Sequence, residues 1–598
     1  MNRKLVGTFV CLALVLLSAG CNSSSTPPTP PPPPPAPITM SVTPSNALLF
    51  STQSVQIKAT DSDGDSDITW SISGTPAATV DSTGNFTAPA VTQNTSFTVT
   101  ATSLKDPTKT GSTSIAVLAS GQVAATNNPQ VALYTITPPA GLNVFIQFGT
   151  DTSYKLKTWT QPAPSSGPLS FFVAGMLAST QYHMRAVVQA ADGTFANDLD
   201  QTFTTQALPA TVIPPMTVTT SPGMTPQPGI EMLDVISPAA LATPYAGLAA
   251  VDLSGNLVWT YSGIASGESV QGVHLLPNGH FLIGVFPHAV REIDLVGNTI
   301  RQETITQLNN TLTAAGISLV AKSFHHDVIA LPSGNWIALI QMSVPCSQIP
   351  NCSGLPNILV DALVELIPQS DGTFKLGWVW NTVDHLDINR ALMGYPDWTH
   401  SNAIVYSADD GNLLLSIRHQ GWVIKIDYAK GAGAGDIIWH LGYQGDFTLV
   451  GGTDPTDWFY AQHAPSFATP NTTGIFRLAI MDNGNARVFP AGVTCGTAGA
   501  PVCLYSAAPL LEIDETAKTA TIISNYKPGE YSFWGGEAQQ LANGNMEGDF
   551  NAGAGRLYTD IFEVLPGSTP QVVWHLTTSG SNDYRAFRMP SLYPGVQW

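Results

Sequence analysis

The chain has 598 residues and a formal net charge of −19 at pH 7, which argues against nucleic acid or an anionic membrane surface as its partner. Only 11% of the residues are charged, whereas 52 Gly and 46 Pro are present, so turn-rich β structure is favoured over long helices rich in ion pairs. A chain of this length is expected to form several domains.

The N-terminus has the pattern of an export signal. Arg3 and Lys4 precede an apolar segment at 5–17, and a Ser-Ala-Gly triplet then leads to Cys21. This order resembles a bacterial lipoprotein signal, so we expect residues 1–21 to direct export and Cys21 to carry the lipid; an ordinary secretory signal is the alternative. No later apolar segment is long enough to span a bilayer, and the lipid is therefore the only expected membrane contact of a periplasmic or cell-surface protein.

Residues 22–37 consist mostly of Ser, Thr and Pro, which predicts an extended linker. Four cysteines follow the linker in two close pairs. Because an exported protein meets an oxidising compartment, we expect disulfides between Cys346 and Cys352 and between Cys495 and Cys503. A metal site is less favoured, since neither pair has the Cys-x-x-Cys spacing.

Two β-rich modules are predicted next, at 38–118 and 119–208. Their apolar residues alternate with polar ones over short segments separated by turn residues, as in 96–101 and 144–148. The first module resembles a bacterial immunoglobulin-like repeat with Trp70 in its core, and the second is similar to a fibronectin type III sandwich. Neither module carries a group of residues suited to catalysis.

A repeat begins near residue 229 and predicts the fold of the rest of the chain. Each unit is an acidic strand, a turn and a second strand, and it occurs six times, at 250–259, 292–300, 364–380, 425–439, 512–523 and 562–574. Five units follow another predicted hairpin with Gly in its turn, at 277–279, 332–334, 410–412, 483–485 and 543–545. Two hairpins make a four-stranded blade, so 209–598 is predicted to form a six-bladed β-propeller in an all-β protein, with 584–598 adding a strand to the first blade.

The propeller geometry is expected to bring distant histidines together. The innermost strand of each blade begins at one face, so the residues just before it surround one end of the central channel. These residues are His325 and His326 in one blade, His400 in the next and His463 in the blade after that. Arg418 ends the second strand of the hairpin that follows His400, and we therefore expect it at the same end. The sequence predicts a cluster of imidazoles beside one guanidinium.

The other histidines of this region are assigned to less specific positions. His440 and His575 are expected to be structural, His280, His288 and His385 to be solvated, and His274 and His419 are left undecided. Three clustered imidazoles could hold zinc or copper, but the cationic Arg418 beside them disfavours a metal and favours an oxyanion. An uncoordinated imidazole is also a good nucleophile near neutral pH.

Four short segments, taken together, resemble the bacterial arylsulfate sulfotransferase family. They read Phe-His-His-Asp at 324–327, Asp-Trp-Thr-His-Ser-Asn at 397–402, Ser-Ile-Arg-His-Gln at 416–420 and Gln-His at 462–463. The resemblance extends over about residues 229–598 and implies a six-bladed propeller in an exported protein. It also implies transfer of a sulfuryl group from a phenolic sulfate ester to a phenolic acceptor, with no adenylyl-sulfate donor, metal or other cofactor.

The resemblance also implies roles for individual residues. His463 matches the nucleophile, which would carry the sulfuryl group as a sulfohistidine and give a ping-pong mechanism. The residues that match sulfate-binding or proton-handling positions are His400, Arg418, Asn402 and one of His325 or His326, and His419 and Ser532 complete the predicted substrate-binding set. Transfer without nucleotide activation is chemically reasonable, because phenolate, with a conjugate-acid pKa of about 10, is a competent leaving group.

Two departures from the family pattern concern substrate preference more than reaction class. Ala464 and Pro465 follow the nucleophile where an acidic or small polar residue is more usual, and the loop at 531–534 matches only approximately. The alternative functions are a non-catalytic surface lipoprotein that binds a partner and a metal-dependent propeller enzyme. The sequence does not set the oligomeric state, for which a homodimer is one option.

Overall fold

The computed structural model describes residues 39–64, 67–209, 214–236, 245–350, 352, 354–493, 503–551 and 557–598. The predicted signal, Cys21 and the linker at 22–37 lie outside these residues. The described part of the chain consists of β-strands, one α-helix and three short 3-10 turns, which confirms the all-β prediction. Within that part, no helix is both long and apolar enough to cross a membrane.

The first region, 39–118, consists of two sheets that share a core and a two-stranded ribbon. Its strands are β1 (Met40–Thr43), β2 (Asn46–Phe50), β3 (Ser54–Gln56), β4 (Lys58–Asp61), β5 (Ile68–Ser73), β6 (Thr79–Val80), β7 (Asn85–Thr87), β8 (Thr95–Ser103) and β9 (Thr110–Leu118). One sheet has the order β2-β9-β8-β5, the other β3-β7-β6, and β1 pairs with β4. Phe86 of β7 and Phe97 of β8 meet with ring centroids 5.6 Å apart, and the half-buried Trp70 packs against the same core.

The second region, 119–209, has a three-stranded and a six-stranded sheet. Its strands are β10 (Gln122–Ala125), β11 (Ala132–Ile136), β12 (Asn143–Gly149), β13 (Leu156–Lys157), β14 (Gln161–Pro162), β15 (Leu169–Val173), β16 (Gln181–Gln189), β17 (Phe195–Asn197) and β18 (Gln201–Thr204). The C-terminal segment of the chain packs into this region. The hydroxyl of Tyr593 donates to the carbonyl of Phe172 at 2.9 Å and accepts from the N–H of Ala174 at 2.7 Å. The second region therefore shares one apolar core with the third region, to which Tyr593 belongs.

The third region contains the remaining strands and the helix. The strands as far as the helix are β19 (Met216–Thr220), β20 (Ile230–Ile236), β21 (Ala246–Asp252), β22 (Leu257–Tyr261), β23 (Ser269–Leu275), β24 (Phe281–Phe286), β25 (Ala289–Ile293) and β26 (Thr299–Thr304). Helix α1 (Ile305–Ala314) follows, and its N-terminal Thr304 and Gln307 form a capping box. The next strands are β27 (Ser323–Ala330), β28 (Trp336–Pro345), β29 (Asn357–Pro368), β30 (Phe374–Asn381), β31 (Ser401–Tyr406), β32 (Leu413–Ile417), β33 (Trp422–Ile426), β34 (Ile437–Gly442) and β35 (Thr448–Val450). The last strands are β36 (His463–Thr472), β37 (Ile475–Met481), β38 (Ala508–Asp514), β39 (Thr519–Tyr526), β40 (Ala538–Gln540), β41 (Met546–Asn551), β42 (Tyr558–Leu565), β43 (Gln571–Ser579) and β44 (Asn582–Met589).

These strands form six sheets, each with four antiparallel strands in meander order. The sheets are β44-β20-β21-β22, β23 to β26, β27 to β30, β31 to β34, β36 to β39 and β40 to β43, with β35 and β19 added at the edges of the last two. The C-terminal strand β44 pairs with β20, as the sequence predicted for this segment. The first strands of the sheets, β44, β23, β27, β31, β36 and β40, are named the lead strands. Contacts link each lead strand to the next in this order, from β44 to β40. Strand β41 of the sixth sheet in turn contacts β44 of the first.

One predicted turn is wrong. The segment 483–485 does not close the hairpin of β36 and β37, whose turn lies at 473–474; it follows β37 instead. Gly484 has a φ of +83°, and a Cβ on it would lie 2.1 Å from the carbonyl oxygen of Tyr505. The glycine is therefore needed for a close backbone approach after the strand, which has the same composition as a hairpin turn.

Candidate active site

Three of the predicted site residues, His326, Asn402 and His463, lie at irregularities near the starts of the lead strands. The pairing register shifts between Phe324 and Val328 in β27, between Ser401 and Ala403 in β31, and after His463 in β36. A bulge turns a side chain out of the regular alternation of the strand. As a result His326, Asn402 and His463, which lie at or within these bulges, do not follow the side-chain pattern of the sheet.

Two buried carboxylates accept from backbone N–H groups at and just after the bulge of β31. Asp361 accepts from the N–H of Ser401 at 2.6 Å, and Asp327 accepts from the N–H of Ile404 at 2.9 Å. An unpaired buried N–H is costly, so these carboxylates stabilise the irregular backbone. The bulge of β31 is thus held from the neighbouring sheet that contains β27 and β29.

The two adjacent histidines of β27 face different surroundings. His325 is buried, and its Nε2 lies 3.0 Å from Oδ1 of Asp361. Burial alone would raise the pKa of Asp361, but His325 and the hydrogen bonds hold it below its usual value. His326, with a φ of +64°, turns the other way, and its Nε2 lies 3.1 Å from Nε2 of His400. His326 therefore belongs to the cluster, and His325 supports the segment around His400.

His326 and His400 share a single proton between their Nε2 atoms, because one nitrogen must donate and the other accept at this distance. Burial lowers the pKa of His326 well below its usual value, and the neighbouring His325, His400 and His463 lower it further. Nδ1 of His400 lies 2.5 Å from Oδ2 of Asp397. The pair is therefore anchored at one end by a carboxylate.

Arg418 follows β32 and is almost fully buried. Its Nη1 lies 2.6 Å from Nε2 of His419, and its Nη2 donates to the carbonyl of Phe533 at 2.9 Å. Burial lowers the pKa of Arg418, yet a guanidinium starts from so high a value that it stays charged. Its Nε has no hydrogen-bond partner among the described residues. The site therefore contains a fixed cation with a free donor.

The protonation of His463 follows from its hydrogen bond to Asn483. Asn483 donates through Nδ2 to the carbonyls of Ser532 (2.9 Å) and Gly535 (3.0 Å), which fixes its Oδ1 as an acceptor. Nδ1 of His463, 2.5 Å from that oxygen, must therefore carry the proton. Nε2 is left with its lone pair, and no described residue forms a hydrogen bond to it.

Burial lowers the pKa of His463 well below its usual value, and the charge of Arg418 lowers it further. The Asn483 contact acts in the opposite direction but does not reverse the shift. His463 is thus neutral at neutral pH, with an unprotonated nitrogen available for nucleophilic attack.

Asn402 and Ser532, the other two predicted substrate-binding residues, form hydrogen bonds mainly with backbone carbonyls and with Asn483. Asn402 donates through Nδ2 to the carbonyl of Gln462 at 2.7 Å, while its buried Oδ1 has no partner among the described residues. Its own carbonyl accepts from Nη2 of Arg585 at 2.6 Å, which links the first and fourth sheets. Ser532 accepts from Asn483 through its carbonyl, and its hydroxyl makes one long contact, 3.4 Å, to the carbonyl of Trp534.

Two residues of the site were not predicted from the sequence. Tyr584 lies in the bulge of β44; its ring stacks on His326 (centroids 5.2 Å apart) and lies 6.0 Å from His463. Its buried hydroxyl has no partner among the described residues. The available signal was the prediction that 584–598 closes the first sheet. Asn483 was missed because its Asn-Gly-Asn sequence was assigned to a hairpin turn.

Asp397, His400 and His419 have ligand atoms within 4.8 Å of one another and are the one such group found among the described residues. Both ring nitrogens of His419 are already used, since Nδ1 lies 2.6 Å from the carbonyl oxygen of Asp397 and Nε2 lies 2.6 Å from Arg418. A metal ion would have to displace a guanidinium from this nitrogen. The arrangement is suited to an anion.

The remaining histidines of the third region contact other groups. His274 pairs with Asp327 (3.0 Å), His280 with Glu292 (2.6 Å), His288 with Glu268 (2.9 Å), His440 with Asp446 (3.1 Å), His575 with Asp560 (2.7 Å), and His385 with the carbonyl of Asn381 (2.9 Å). Of the predicted disulfides, Cys346–Cys352 is present, with an S–S distance of 2.04 Å, in the link between β28 and β29. Cys495 lies outside the described residues, so the pairing of Cys495 with Cys503 stays a prediction.

The comparison with protein families identifies the class of protein. The arylsulfotransferase (ASST) family matches residues 234–565, which is more than half of the chain. This chain belongs to the arylsulfotransferase family, and it is accordingly a sulfotransferase enzyme that acts on aryl compounds. No curated protein sequence matches the chain significantly.

Three of the solved structures that resemble the chain are distant likenesses. A variant of Synechocystis apocarotenoid oxygenase is 9% identical, covering 76% of this chain and 80% of its own, with a TM-score of 0.25. A bacterial ice-binding adhesin is 13% identical over 45% of this chain and 96% of its own, with a TM-score of 0.11. The FN1–FN3 domains of chicken CNTN1 are 11% identical over 42% of this chain and 94% of their own, with a TM-score of 0.14.

Proposed function

We propose that this enzyme moves a sulfuryl group from a phenolic sulfate ester to a phenolic acceptor, with Nε2 of His463 as the nucleophile. The observation that carries the proposal is the fixed tautomer of His463, whose Nδ1 is bound to Asn483 and whose Nε2 is free of any described partner. Membership of the arylsulfotransferase family supplies the reaction class. The cation Arg418 supplies the charge that a sulfate ester requires.

In the first half of the reaction, Nε2 of His463 attacks the sulfur of the donor. An N–S bond forms, the S–O bond to the aryl group breaks, and the bonding electron pair leaves with the phenolate. We assign the neutralisation of the phenolate to the pair His326 and His400 when it carries one additional proton: one ring is then an imidazolium, which gives its proton to the phenolate and leaves both rings neutral. The product is a sulfohistidine, and no nucleotide donor or other cofactor takes part.

In the second half, a phenolic acceptor enters the same site. The pair His326 and His400 removes its proton, and the phenolate oxygen attacks the sulfur of the sulfohistidine. The N–S bond breaks and its electron pair returns to Nε2 of His463. Donor and acceptor therefore use one site in turn, which gives ping-pong kinetics.

The groups with unused hydrogen-bonding atoms are proposed to hold the sulfuryl oxygens. These atoms are Nε of Arg418 and the hydroxyl of Tyr584, both buried and unpartnered among the described residues. Burial raises the pKa of Tyr584, so its hydroxyl stays protonated and acts as a donor. Fixed donors aimed at developing negative charge are the largest contribution to many acyl- and phosphoryl-type transfers, and we assign the same role here. Asn402 and Ser532 remain proposed substrate contacts.

We also propose that the six sheets are the blades of a six-bladed β-propeller occupying 209–598, with β44 closing the ring onto the first blade. Their meander order, the contacts from each lead strand to the next and the return contact to the first sheet support this arrangement. The sheets of 38–118 and 119–208 are proposed to be an immunoglobulin-like and a fibronectin type III-like sandwich.

The proposed location is the periplasm or the cell surface, with Cys21 as the lipidated residue after a signal at 1–21. The sequence pattern supports this location, and so does the disulfide between Cys346 and Cys352, because disulfides persist in oxidising compartments. Metabolic labelling with a fatty acid, compared between wild type and Cys21→Ala, tests the lipid.

The test of the reaction is an assay with 4-nitrophenyl sulfate, with and without phenol and with and without a chelator. Release of nitrophenolate that is stimulated by phenol and unaffected by the chelator supports sulfuryl transfer. Turnover abolished by the chelator would indicate a metal-dependent enzyme, and an absence of turnover with any phenol acceptor would contradict the proposal. Phenyl sulfate should appear in equal amount to the nitrophenolate released.

A further inference from the structure

Asp397 contacts two groups of the site through two different oxygens. Its carboxylate Oδ2 lies 2.5 Å from Nδ1 of His400, and its backbone carbonyl lies 2.6 Å from Nδ1 of His419. A single residue therefore orients both imidazoles. Their rings lie almost parallel, at 21°, with centroids 4.7 Å apart, so neither ring rotates without the other.

The contact to the carbonyl fixes the tautomer of His419. A carbonyl only accepts, so Nδ1 of His419 carries the proton and Nε2 has the lone pair. Nη1 of Arg418 donates to that lone pair at 2.6 Å. Burial, and next the neighbouring His400, lower the pKa of His419 to about 4, which agrees with a neutral ring beside a guanidinium.

The guanidinium of Arg418 is consequently held from two sides. His419 accepts from Nη1, and the carbonyl of Phe533 accepts from Nη2, so two bonds from different segments define the plane of the group. Only Nε remains without a described partner. A planar donor set that is fixed before the substrate arrives loses little freedom on binding a sulfate.

We propose that Asp397 and His419 form a support that positions Arg418 and His400 and that neither contacts the substrate. His419 has no free ring nitrogen, so it acts through Arg418. This role differs from the direct substrate contact that the sequence predicted for His419. The kinetic tests of this inference rest on the proposed sulfuryl transfer. A binding test distinguishes a failure of the positioning role from a failure of the proposed reaction.

The first test replaces His419 by Phe, which keeps the ring against His400 but removes both nitrogens. We expect kcat/KM for 4-nitrophenyl sulfate to fall about 30- to 100-fold, as small displacements of a positioned group commonly cost. His419→Gln, whose amide offers both an acceptor and a donor, should recover most of the loss. The matched control is His385→Phe, because His385 also donates from Nδ1 to a carbonyl and stacks on Trp380, away from the site. Wild-type kinetics in His419→Phe, or no recovery in His419→Gln, would overturn the proposal.

The second test is a double-mutant cycle with Arg418→Met. Because His419 is proposed to act through the guanidinium, His419→Phe should cost less than about threefold when Arg418 is absent. A purely structural role would give the same loss in both backgrounds. Additive losses therefore contradict the proposal even if every variant folds.

The third test needs no turnover. 4-Nitrobenzenesulfonate has a C–S bond that cannot transfer, and its binding to the purified protein is measured by calorimetry. His419→Phe should weaken binding about tenfold and His385→Phe should not change it. If the wild type binds the sulfonate but transfers no sulfuryl group from 4-nitrophenyl sulfate, the proposed reaction fails. The binding affinities still decide whether His419 has the positioning role. Equal binding by wild type and His419→Phe rejects the support.

The carboxylate of Asp397 is tested by Asp397→Ala, with Asp446→Ala as control, since the carboxylate of Asp446 also contacts Nδ1 of a histidine, His440 at 3.1 Å, outside the site. The first variant should lower kcat/KM at least about tenfold and the second less than about twofold. Equal effects would show that only the stability of a His–Asp pair is involved, and the proposal would be wrong for this residue.

Discussion

Three histidines of the site, His326, His419 and His463, differ from those elsewhere in the nature of their partner, whereas His400 keeps a carboxylate partner, Asp397, at 2.5 Å. Away from the site most rings are paired with carboxylates, as in His183–Asp200 (2.7 Å), His280–Glu292 (2.6 Å), His288–Glu268 (2.9 Å), His440–Asp446 (3.1 Å) and His575–Asp560 (2.7 Å), whereas His385 contacts a carbonyl. Inside it, His326, His419 and His463 contact another imidazole, a carbonyl, an amide or a guanidinium, and form no ion pair with a described carboxylate.

This difference determines what each ring can do. A carboxylate favours the charged imidazolium, which has no lone pair. Burial without a carboxylate has the opposite effect, and the pKa values of His326, His419 and His463 are all lowered. These three rings are therefore kept neutral, and His463 in addition keeps a free nitrogen, whereas the outer rings are suited to holding strands together.

The largest expected effect comes from the removal of one ring inside the site, compared with the removal of one ring outside it. His463→Ala should lower the rate of nitrophenolate release by about 10³-fold or more, because the covalent step is lost. His440→Ala, in the outer strand β34, should retain activity within about twofold. Thermal unfolding of both variants serves as the folding control. A His463→Ala enzyme with more than a tenth of wild-type turnover would contradict the nucleophile assignment.

The next effect concerns the tautomer of His463. Asn483→Leu removes the acceptor for Nδ1, so the proton is free to move to Nε2, and we expect kcat to fall about 10²-fold. Asn483→Asp keeps an acceptor oxygen and should lose less than Asn483→Leu. Single-turnover release of nitrophenolate measures the step directly. Equal rates for the two variants would show that the hydrogen bond does not set the tautomer.

Two tyrosines of the C-terminal segment allow a smaller, paired test. The hydroxyl of Tyr584 has no described partner, so Tyr584→Phe should leave stability unchanged but lower kcat/KM about tenfold. The hydroxyl of Tyr593 has backbone partners at 2.7 and 2.9 Å, so Tyr593→Phe should lower stability by about 1–3 kcal/mol and leave kcat/KM unchanged. Urea unfolding and steady-state kinetics check both. The opposite pattern would remove Tyr584 from the site.

The smallest expected effect is that of pH. An ordinary imidazole with a pKa of about 6.5 is half protonated at that pH. Because the pKa of His463 lies well below this value, kcat/KM for the donor should change less than about twofold between pH 8 and 6.5 and fall only at lower pH. The donor half-reaction is the one to measure, since the acceptor phenol titrates separately. An acid limb with an apparent pKa of 6.5 or above would show that the ring is not shielded.

The repeat was enough to predict the sheets and the meeting of the histidines. Hydrophobic alternation and turn composition place the strands, and strand order places His326, His400, His463 and Arg418 at the starts or ends of neighbouring strands. The same rules failed at 483–485, because glycine meets a close contact as readily as a turn. They placed the C-terminal segment beside the first sheet but did not assign Tyr584, which enters from that strand, to the site.

The sequence by itself determined the all-β class, the number of repeats and the residue types that gather at one place. Only the tertiary structure decided which ring nitrogen is free, because that depends on partners distant in the chain: Asn483 for His463, Asp361 for His325, and Asp397 for both His400 and His419. Hydrogen-bond direction and burial set the protonation of an imidazole, and both are properties of the folded neighbourhood.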